Sequence, residues 1–491
     1  MFVFSYIKKN EYCRCFNFLD NKKLIISELL FYFRFNIKIR IAFFVCFFSC
    51  FALSAQFEMD YAPIEIEGEI PPRFYHSLKG KTKIDIVLED EGMGRRKRKE
   101  FSTTTSFTLR EIFLSGSIYY NDPCTPYVRE VTENLLETLQ SGKNVSVFVG
   151  RFVSPNAAIW QDGTLIVNVG LLAKLENEAQ LAFVLAHEIA HYENKHPFLQ
   201  YARKQKPGNI QKRALDNLKA SLAYTQQNEC SADTFALELL ERAGYDSREG
   251  ARAVELLMKD KRAEETVYVT QLLGVKQTDM CDDLKAQTHM GVGHDVAEHF
   301  APVMLAERKA KIDAVKTTTG ELWRVSERDF ERVKGIAQFE VVENNFREAD
   351  YISTLCKAAK LKNTYPENQY LQEKIVESLF QLYHYKKRGE EGGLLKMNQG
   401  NYSTNDLSHL CCYIKSADIE TLQKLTATYL KEQYERYGTV SETIAITAAK
   451  YTALAAGKAA AKAHFRHYMK YFPKGKHYLY AEQRQTIDSS R

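Results

Sequence analysis

This sequence of 491 residues lacks several features that are typical of other classes of protein. It contains no Cys-x-x-Cys pair, which argues against a zinc ribbon and against a thioredoxin-like redox site. After residue 55 no apolar run approaches the roughly 20 residues that a transmembrane helix needs, so we predict no integral membrane segment there. Only six of the ten cysteines lie after residue 55, and their spacing selects no disulfide pairing.

The chain also has little excess charge of either sign once its N-terminal part is set aside. Residues 1–55 contain 8 Lys and Arg against 3 Asp and Glu, so 59 basic and 59 acidic residues remain. Nucleic-acid-binding domains usually carry a basic face, and we therefore predict no nucleic-acid partner. The one basic run, at 95–99, is interpreted as a solvated loop, with a membrane-surface or partner contact as the alternative.

The first 55 residues read as a leader rather than as a domain. Lys38 and Arg40 precede an apolar run at 41–52, and small residues follow up to Ala55. A short positive region, an apolar core and a small-residue end are typical of a secretory signal peptide. We therefore predict an exported protein, periplasmic or envelope-associated. A lipid anchor at Cys50 is the alternative, although Phe-Phe-Ser before it is a poor lipidation context.

The stretch 181–196 reads LAFVLAHEIAHYENKH and contains an H-E-x-x-H motif formed by His187, Glu188 and His191. Residues four apart lie on one face of an α-helix, with Cβ atoms about 6 Å apart, so both imidazoles reach one metal ion. Zn²⁺ accepts two neutral imidazoles and a carboxylate and keeps one position open for water. Glu188 is then placed to take a proton from that water as it attacks a carbonyl. The alternative is a pair of core histidines satisfied by backbone carbonyls.

The identity of a third ligand distinguishes these two interpretations. The extended motif H-E-x-x-H-x-x-G-x-x-H is absent, because Asn194 and Pro197 stand where its Gly and last His would be. His196 is no substitute if the helix continues. Nine residues at about 100° each would place it opposite His187.

Two acidic residues further along the chain include a candidate for the third ligand. Glu229 and Asp233 are four apart within NECSAD and precede a helical run at 235–240, so both lie on one helix face. Glu229 can complete the metal site, and Asp233 can accept an N–H from a ligand histidine. A solvated helix face is the alternative. Cys230 lies about 100° round the helix from Glu229 and is interpreted as a packing residue.

These motifs, together with two others, resemble those of the HtpX-like and CAAX-prenyl-protease-like zinc metallopeptidases. Within that family the chain is most similar to the soluble, periplasmic BepA-like branch. The resemblance covers about 110–310. It rests on four segments in the family's order: NAAIW at 156–160, DGTLIVNVGLL at 162–172, HEIAHYENKH at 187–196 and NECSAD at 228–233.

The resemblance implies a role for each motif residue. Zinc would be bound by His187, His191 and Glu229, with Glu188 as the catalytic base and Asp233 in support. It also implies that the strand beside the active-site helix binds an extended substrate by strand addition.

One region departs from the family's pattern. The family carries His-Pro closely followed by Arg at the edge of the active site, after the third ligand. Here His289, His294 and His299 precede Arg308, and none of them is directly followed by Pro. Any of the four is a candidate for lining the site, and a polar loop is the alternative for the histidines. A purely structural zinc would need a fourth ligand from these histidines or from Cys230.

The remaining elements are predicted from hydrophobic periodicity and turn signals. A helix at about 125–141, a strand at 145–152 and a hairpin at 157–168 precede the motif helix. Beyond residue 318 the composition is helical, and no strict 34-residue period is present, so we describe the region as tetratricopeptide-like. Its predicted helices are 323–343, 348–362, 367–387, 419–437, 440–455 and 458–472.

We therefore predict an α+β fold. A zincin-type metallopeptidase domain with an active-site helix and a small sheet is followed by an all-α, tetratricopeptide-like domain. The predicted parts are a leader at 1–55, an N-terminal segment at 56–108, the peptidase domain at 109–317 and the helical domain at 318–491.

The predicted activity is zinc-dependent hydrolysis of peptide bonds in unfolded or extended polypeptides, in envelope protein quality control. The helical domain would recruit or orient substrate or bind a protein partner. The alternative is a catalytically silent or latent peptidase fold that acts as a chaperone or assembly scaffold through that domain.

Overall fold

Apolar segments of the chain form the strands and helices that surround the predicted site. The computed structural model describes residues 57–65, 68, 94–204, 214–258, 268, 269, 271, 272, 274, 308–315, 317–389, 414 and 417–486. The predicted leader at 1–55 and the three histidines at 289, 294 and 299 lie outside the described residues. The described residues all belong to one compact unit that begins at Phe57.

The first half of this unit contains every element predicted ahead of the motif helix. The elements are α1 (Arg95–Leu114), β1 (Ile118–Tyr119), α2 (Cys124–Leu139), β2 (Ser146–Gly150), β3 (Ala157–Ile159), β4 (Thr164–Asn168), α3 (Val169–Lys174), α4 (Glu178–Glu193), α5 (His196–Lys204), α6 (Ala214–Arg242) and α7 (Arg248–Met258). The prediction of a loop at 95–99 was wrong, because this basic run forms the first turns of α1. Its side chains are nonetheless mostly exposed.

The sheet places a short edge strand beside the motif helix. Its strand order is β1-β2-β4-β3, with β2 and β4 parallel and the two outer strands antiparallel to their neighbours. All five residues of β4 are buried. The predicted turn between β3 and β4 is present: Asp162 accepts the backbone N–H of Thr164, and Gly163 adopts φ +82°. That φ value favours glycine.

The motif helix α4 begins and ends for identifiable reasons. Asn177 is its N-cap, and the Oδ1 atom of this residue accepts the N–H of Gln180 at 2.9 Å. Apolar residues cover almost the whole helix surface, as expected for an element that packs against α6, α7 and β3. The helix stops at Glu193, and Lys195 then turns the chain at φ +55°. The continuation past 193 considered for this helix does not occur.

The second half of the unit is helical in all its regular elements among the described residues. The helices are α8 (Glu327–Arg347), α9 (Tyr351–Thr364), α10 (Gln369–Arg388), α11 (Ile419–Tyr437), α12 (Glu442–Ala455), α13 (Lys458–Tyr471) and α14 (Tyr478–Thr486). Polar N-caps such as Ser326, Asn368 and Asp418 accept backbone N–H groups at the helix starts. The predicted α+β class with an all-helical region is confirmed. The tetratricopeptide-like character of that region stays a prediction.

One cluster of buried apolar residues extends through both halves. It runs from Phe57 through the sheet and α4 to Ala448 on α12. Helix α8 makes this continuity possible, because it packs against α3 and α2 as well as against α9.

Among the described helices, none combines the length and the apolar composition needed to span a membrane. The side chains of Cys124, Cys230 and Cys356 form no disulfide among the described residues.

Candidate active site

Helices α4 and α6 bring two imidazoles and a carboxylate together. His187 and His191 lie one turn apart on α4, and their Nε2 atoms are 3.0 Å apart. Glu229 on α6 approaches both rings, with Oε2 at 3.4 Å from Nε2 of His187 and Oε1 at 3.5 Å from Nε2 of His191. The potential ligand atoms of the three residues all lie within 4.8 Å of one another.

The chemistry and spacing of these three residues fit a zinc ion. Tetrahedral zinc binds nitrogen and oxygen donors at about 2.0–2.1 Å, which puts neighbouring donor atoms about 3.3 Å apart. The separations of 3.0, 3.4 and 3.5 Å lie around that value. A set of two histidines and one carboxylate also leaves a fourth position open, as a catalytic site requires.

A second layer of charged residues orients the first. Asp233, one turn beyond Glu229, places Oδ1 at 2.9 Å from Nδ1 of His187. Arg308 donates two hydrogen bonds to the carboxylate of Asp233, at 2.9 and 2.7 Å, and its NH1 atom lies 3.1 Å from Oε2 of Glu229. Residue 308 lies in a segment that is helical over the described residues 308–314. The guanidinium therefore balances two carboxylates that desolvation would otherwise make costly.

Glu188 faces the edge of the sheet. Its Oε2 atom accepts the backbone N–H of Ile159 on β3 at 3.1 Å. Burial raises the pKa of Glu188 to about 7, although the neighbouring His187 acts to lower it. A carboxylate with a pKa near neutrality suits a general base, since it can both take up and release a proton at physiological pH.

Burial, mutual charge interactions and hydrogen bonds determine the protonation states of His187, His191 and Glu229. Burial, assisted by the charge of His187, lowers the pKa of His191 to about 3. Burial also disfavours a charged His187, but hydrogen bonds to Asp233 and Glu229 outweigh it and raise that pKa to about 9. Burial opposes ionisation of Glu229, yet His187 and Arg308 lower its pKa to about 2. His191 and Glu229 are thus in the states that a metal requires, whereas metal binding at His187 displaces a proton.

His196, excluded as a ligand by the assumption of a continuous helix, lies next to His191. Its Nδ1 atom is 2.9 Å from Nδ1 of His191, on the side of that ring away from Glu229. The turn at Lys195 produces this contact, because it ends α4 and starts α5 at His196. The only sequence signal for it was the break in the apolar helix pattern followed by Pro197.

A cavity of about 340 Å³ opens above these residues. One wall is the β3 edge with the segment before it, and the polar floor is formed by the motif residues, Glu229 and Arg308. The remaining wall is apolar and is lined by Leu171, Phe183, Val184, Val254 and Leu257. Such a combination of a few polar groups with an apolar wall is typical of a substrate pocket.

The structure brings together all five residues singled out in the sequence: His187, Glu188, His191, Glu229 and Asp233. Arg308, one of four candidates for the edge of the site, lines the cavity. The other three candidates, His289, His294 and His299, lie outside the described residues. Among the described residues, the group able to hold a metal does not include Cys230.

Comparison with known protein families gives a match that includes His187, Glu188 and His191 and ends before Glu229. Residues 124–211 match the profile of peptidase family M48. The chain is 22% identical over 189 residues to the beta-barrel assembly-enhancing protease of Yersinia pestis, covering 34% of this chain and 38% of that protein. It is 26% identical over 167 residues to the beta-barrel assembly-enhancing protease of Escherichia coli (strain K12), covering 29% and 34%.

These matches confirm the resemblance to M48-type metallopeptidases inferred from the motifs. The chain spans little more than a third of the length of these curated relatives.

Proposed function

We propose that this chain, which carries a peptidase family M48 domain, is a zinc-dependent metalloendopeptidase acting on unfolded or extended polypeptides. The observation that carries the proposal is the convergence of His187, His191 and Glu229 beside Glu188, under a cavity bounded by a sheet edge. A bound Zn²⁺ would supply Lewis acidity toward the scissile carbonyl and lower the pKa of water.

The proton transfers fall to Glu188. Its Oε2 atom is held by the N–H of Ile159, so the carboxylate has a defined orientation and its other oxygen can accept a proton from the attacking water. The same carboxyl group then returns the proton to the leaving amine. A pKa of about 7 allows both steps without a large energetic penalty.

The edge strand β3 would bind the substrate backbone. Asn156 and Trp160 direct backbone groups toward β4, accepting from Asn168 and donating to Thr164. Because successive residues of a strand alternate in direction, the backbone groups of Ala157 face away from β4, toward the cavity. Strand addition at this edge requires an extended peptide, which supports unfolded or loosely folded polypeptides as the substrates.

The proposed location is the cell envelope, reached by export. The signal-peptide pattern at 38–55 and the name of the relatives, which concerns β-barrel assembly, both support it, because bacterial β-barrels of this kind lie in the outer membrane. Envelope protein quality control is the corresponding role. The N-terminal residue of the mature protein, expected at Gln56, tests the export step.

The mechanism predicts that Glu188→Gln keeps zinc and loses activity. The amide preserves the size and the contact to β3 but cannot take a proton, so casein cleavage should fall by at least about 100-fold. His187→Ala should lose both zinc and activity. Glu193→Gln, on the same helix but partly exposed and paired with Lys143, is the matched control and should behave like the wild type.

Two results would count against the proposal. Wild-type activity in purified Glu188→Gln would exclude Glu188 as the base. A wild-type protein that binds zinc, cleaves no unfolded substrate and retains its protein partners equally well without zinc would favour the scaffold alternative.

A further inference from the structure

The second motif histidine is contacted through both of its ring nitrogens. Nε2 of His191 faces the cluster, 3.0 Å from Nε2 of His187 and 3.5 Å from Oε1 of Glu229. Nδ1 points the other way and lies 2.9 Å from Nδ1 of His196, with the two ring planes at 76°. This separation is that of a nitrogen–nitrogen hydrogen bond.

Metal binding fixes the direction of this hydrogen bond. When Nε2 of His191 is a ligand, the proton of that neutral ring is on Nδ1. His191 must therefore donate, and Nδ1 of His196 must accept. A histidine accepts at Nδ1 only as the neutral tautomer that carries its proton on Nε2.

The local backbone and the packing of α5 hold His196 in place. Lys195 at φ +55° ends the α4 path, and α5 starts at His196 itself. Helix α5 is anchored to α1 by an edge-to-face contact of Phe198 with Phe101, whose ring centroids are 5.3 Å apart. Phe198 is fully buried and His196 is only 8% exposed. The burial of His196 and the anchoring of α5 therefore restrict where the His196 ring can lie.

We propose that His196 is a positioning residue that holds the His191 ring in the orientation needed to bind zinc. This inference rests on the zinc site proposed above. It gives the two histidine ligands different outer partners: the carboxylate of Asp233 for His187 and a neutral imidazole for His191. An imidazole acceptor orients the ring without adding another negative charge to the carboxylates already around the site. Outer partners of this kind commonly change metal affinity about 10- to 100-fold.

Three substitutions of His196 in the full chain separate its hydrogen bond from its bulk. His196→Asn keeps an acceptor oxygen the same number of bonds from Cβ as Nδ1, whereas His196→Gln moves that oxygen one bond further. His196→Phe keeps a ring and removes the acceptor. His467→Phe is the control for loss of a partly buried histidine elsewhere, since His467 bonds the carbonyl of Gly438 on the helical side of the molecule.

The measurements are the zinc dissociation constant, by competition with a chromogenic chelator, and the visible absorption spectrum of the Co²⁺-substituted protein. His196→Asn should bind zinc within about threefold of the wild type, while the Gln and Phe variants bind about 10- to 100-fold more weakly. The cobalt spectrum should change in the Gln and Phe variants and stay as in the wild type for the Asn variant and the His467→Phe control.

Equal zinc affinity and an unchanged cobalt spectrum in the Asn and Gln variants would overturn the inference. This pair differs by one methylene group, so the comparison holds even where the Phe variant does not fold. A wild-type protein that binds no zinc would instead overturn the proposed zinc site, and this inference with it.

Discussion

At the scale of single residues, Arg308 joins the two carboxylates that the chain places next to its motif histidines. It makes a two-bond contact to Asp233 and an ion pair to Glu229, and its side chain is only 17% exposed. The planar guanidinium suits this arrangement better than a lysine would, because its fork matches carboxylate geometry. Asp233 is thereby held for the Nδ1 atom of His187.

Removing the third ligand tests the site at this scale. Glu229→Ala should weaken zinc binding by more than about 100-fold, because loss of an outer partner alone commonly costs 10- to 100-fold. Glu238→Ala, an exposed position on the same helix, should keep one zinc per chain. Elemental analysis of the dialysed proteins measures the difference. One zinc per chain in both variants would place the third ligand elsewhere and weaken the peptidase assignment.

At the scale of secondary-structure elements, the start of α4 is tied to the segment that precedes α8. Glu178, in the first turn of α4, is fully buried and accepts hydrogen bonds from the hydroxyls of Tyr127 and Tyr245. It also accepts the backbone N–H groups of residues 324–326 at 2.8–3.1 Å. This carboxylate therefore connects α2, α4 and the segment between α6 and α7 to the N-terminus of α8. It lies nine residues before the first motif histidine.

Replacing that carboxylate by an amide should destabilise the protein. In Glu178→Gln one acceptor oxygen becomes a donor that faces other donors, and we expect a loss of about 3 kcal/mol in the free energy of unfolding. Glu176→Gln, exposed and two residues away, should change it by less than about 0.5 kcal/mol. Urea unfolding followed by circular dichroism measures both. Equal midpoints for the two variants would show that the Glu178 hydrogen bonds contribute little to stability.

The contact between α8 and α10 should make stability depend on pH. Burial acts to raise the pKa of Glu343. The charge of Lys374 and the hydrogen bonds from Arg347 and Tyr370 outweigh burial, so the pKa of Glu343 lies below its ordinary value of 4.5. A carboxylate with a lowered folded pKa stabilises above its unfolded pKa and loses that contribution as the pH falls through the folded value.

Glu343→Gln should therefore be less stable than the wild type at about pH 7, with the difference shrinking toward about pH 3. Glu331→Gln, exposed on the same helix, should parallel the wild type throughout. The midpoint of urea unfolding at several pH values measures this. A Glu343→Gln deficit that stays constant across the range would contradict the role assigned to its charge.

At the scale of the whole molecule, one continuous core crosses the proposed domain boundary between residues 317 and 318. Helix α8 lies after that boundary, yet its side chains Phe330, Ile336 and Phe339 belong to the same buried cluster as α4 and the sheet. A buried network extends this connection: Glu340 of α8 accepts the hydroxyls of Tyr61 and Tyr119. The partners of these α8 residues in the part before residue 317, such as Tyr119, would become exposed if the helical region were absent.

We therefore expect that the chain truncated after residue 317 does not fold by itself. The loss of the α8 face and of the three backbone donors to Glu178 at 324–326 should abolish cooperative thermal unfolding and zinc binding. The full chain purified in parallel is the control. A truncated protein that unfolds cooperatively and binds one zinc would support two separable domains at the predicted boundary.

Much of the site could be predicted from the sequence because the patterns that indicate it span only a few residues. The i, i+4 spacing of His187 and His191 selects one helix face whatever the rest of the fold, and the same holds for Glu229 and Asp233. Turn and cap residues act within a few positions, so the Asp-Gly hairpin at 162–163 and most helix limits were predicted within a few residues.

Only the tertiary structure determined which distant side chains contact the motif residues. Arg308 meets Asp233 from 75 positions away, and Glu178 meets Tyr127, Tyr245 and residues 324–326 only because separate helices pack together. His196 turns back on His191 because Lys195 takes a left-handed conformation and α5 is anchored on α1. Periodicity determines which face a side chain occupies. Which distant face it meets depends on how the whole chain excludes water from its core.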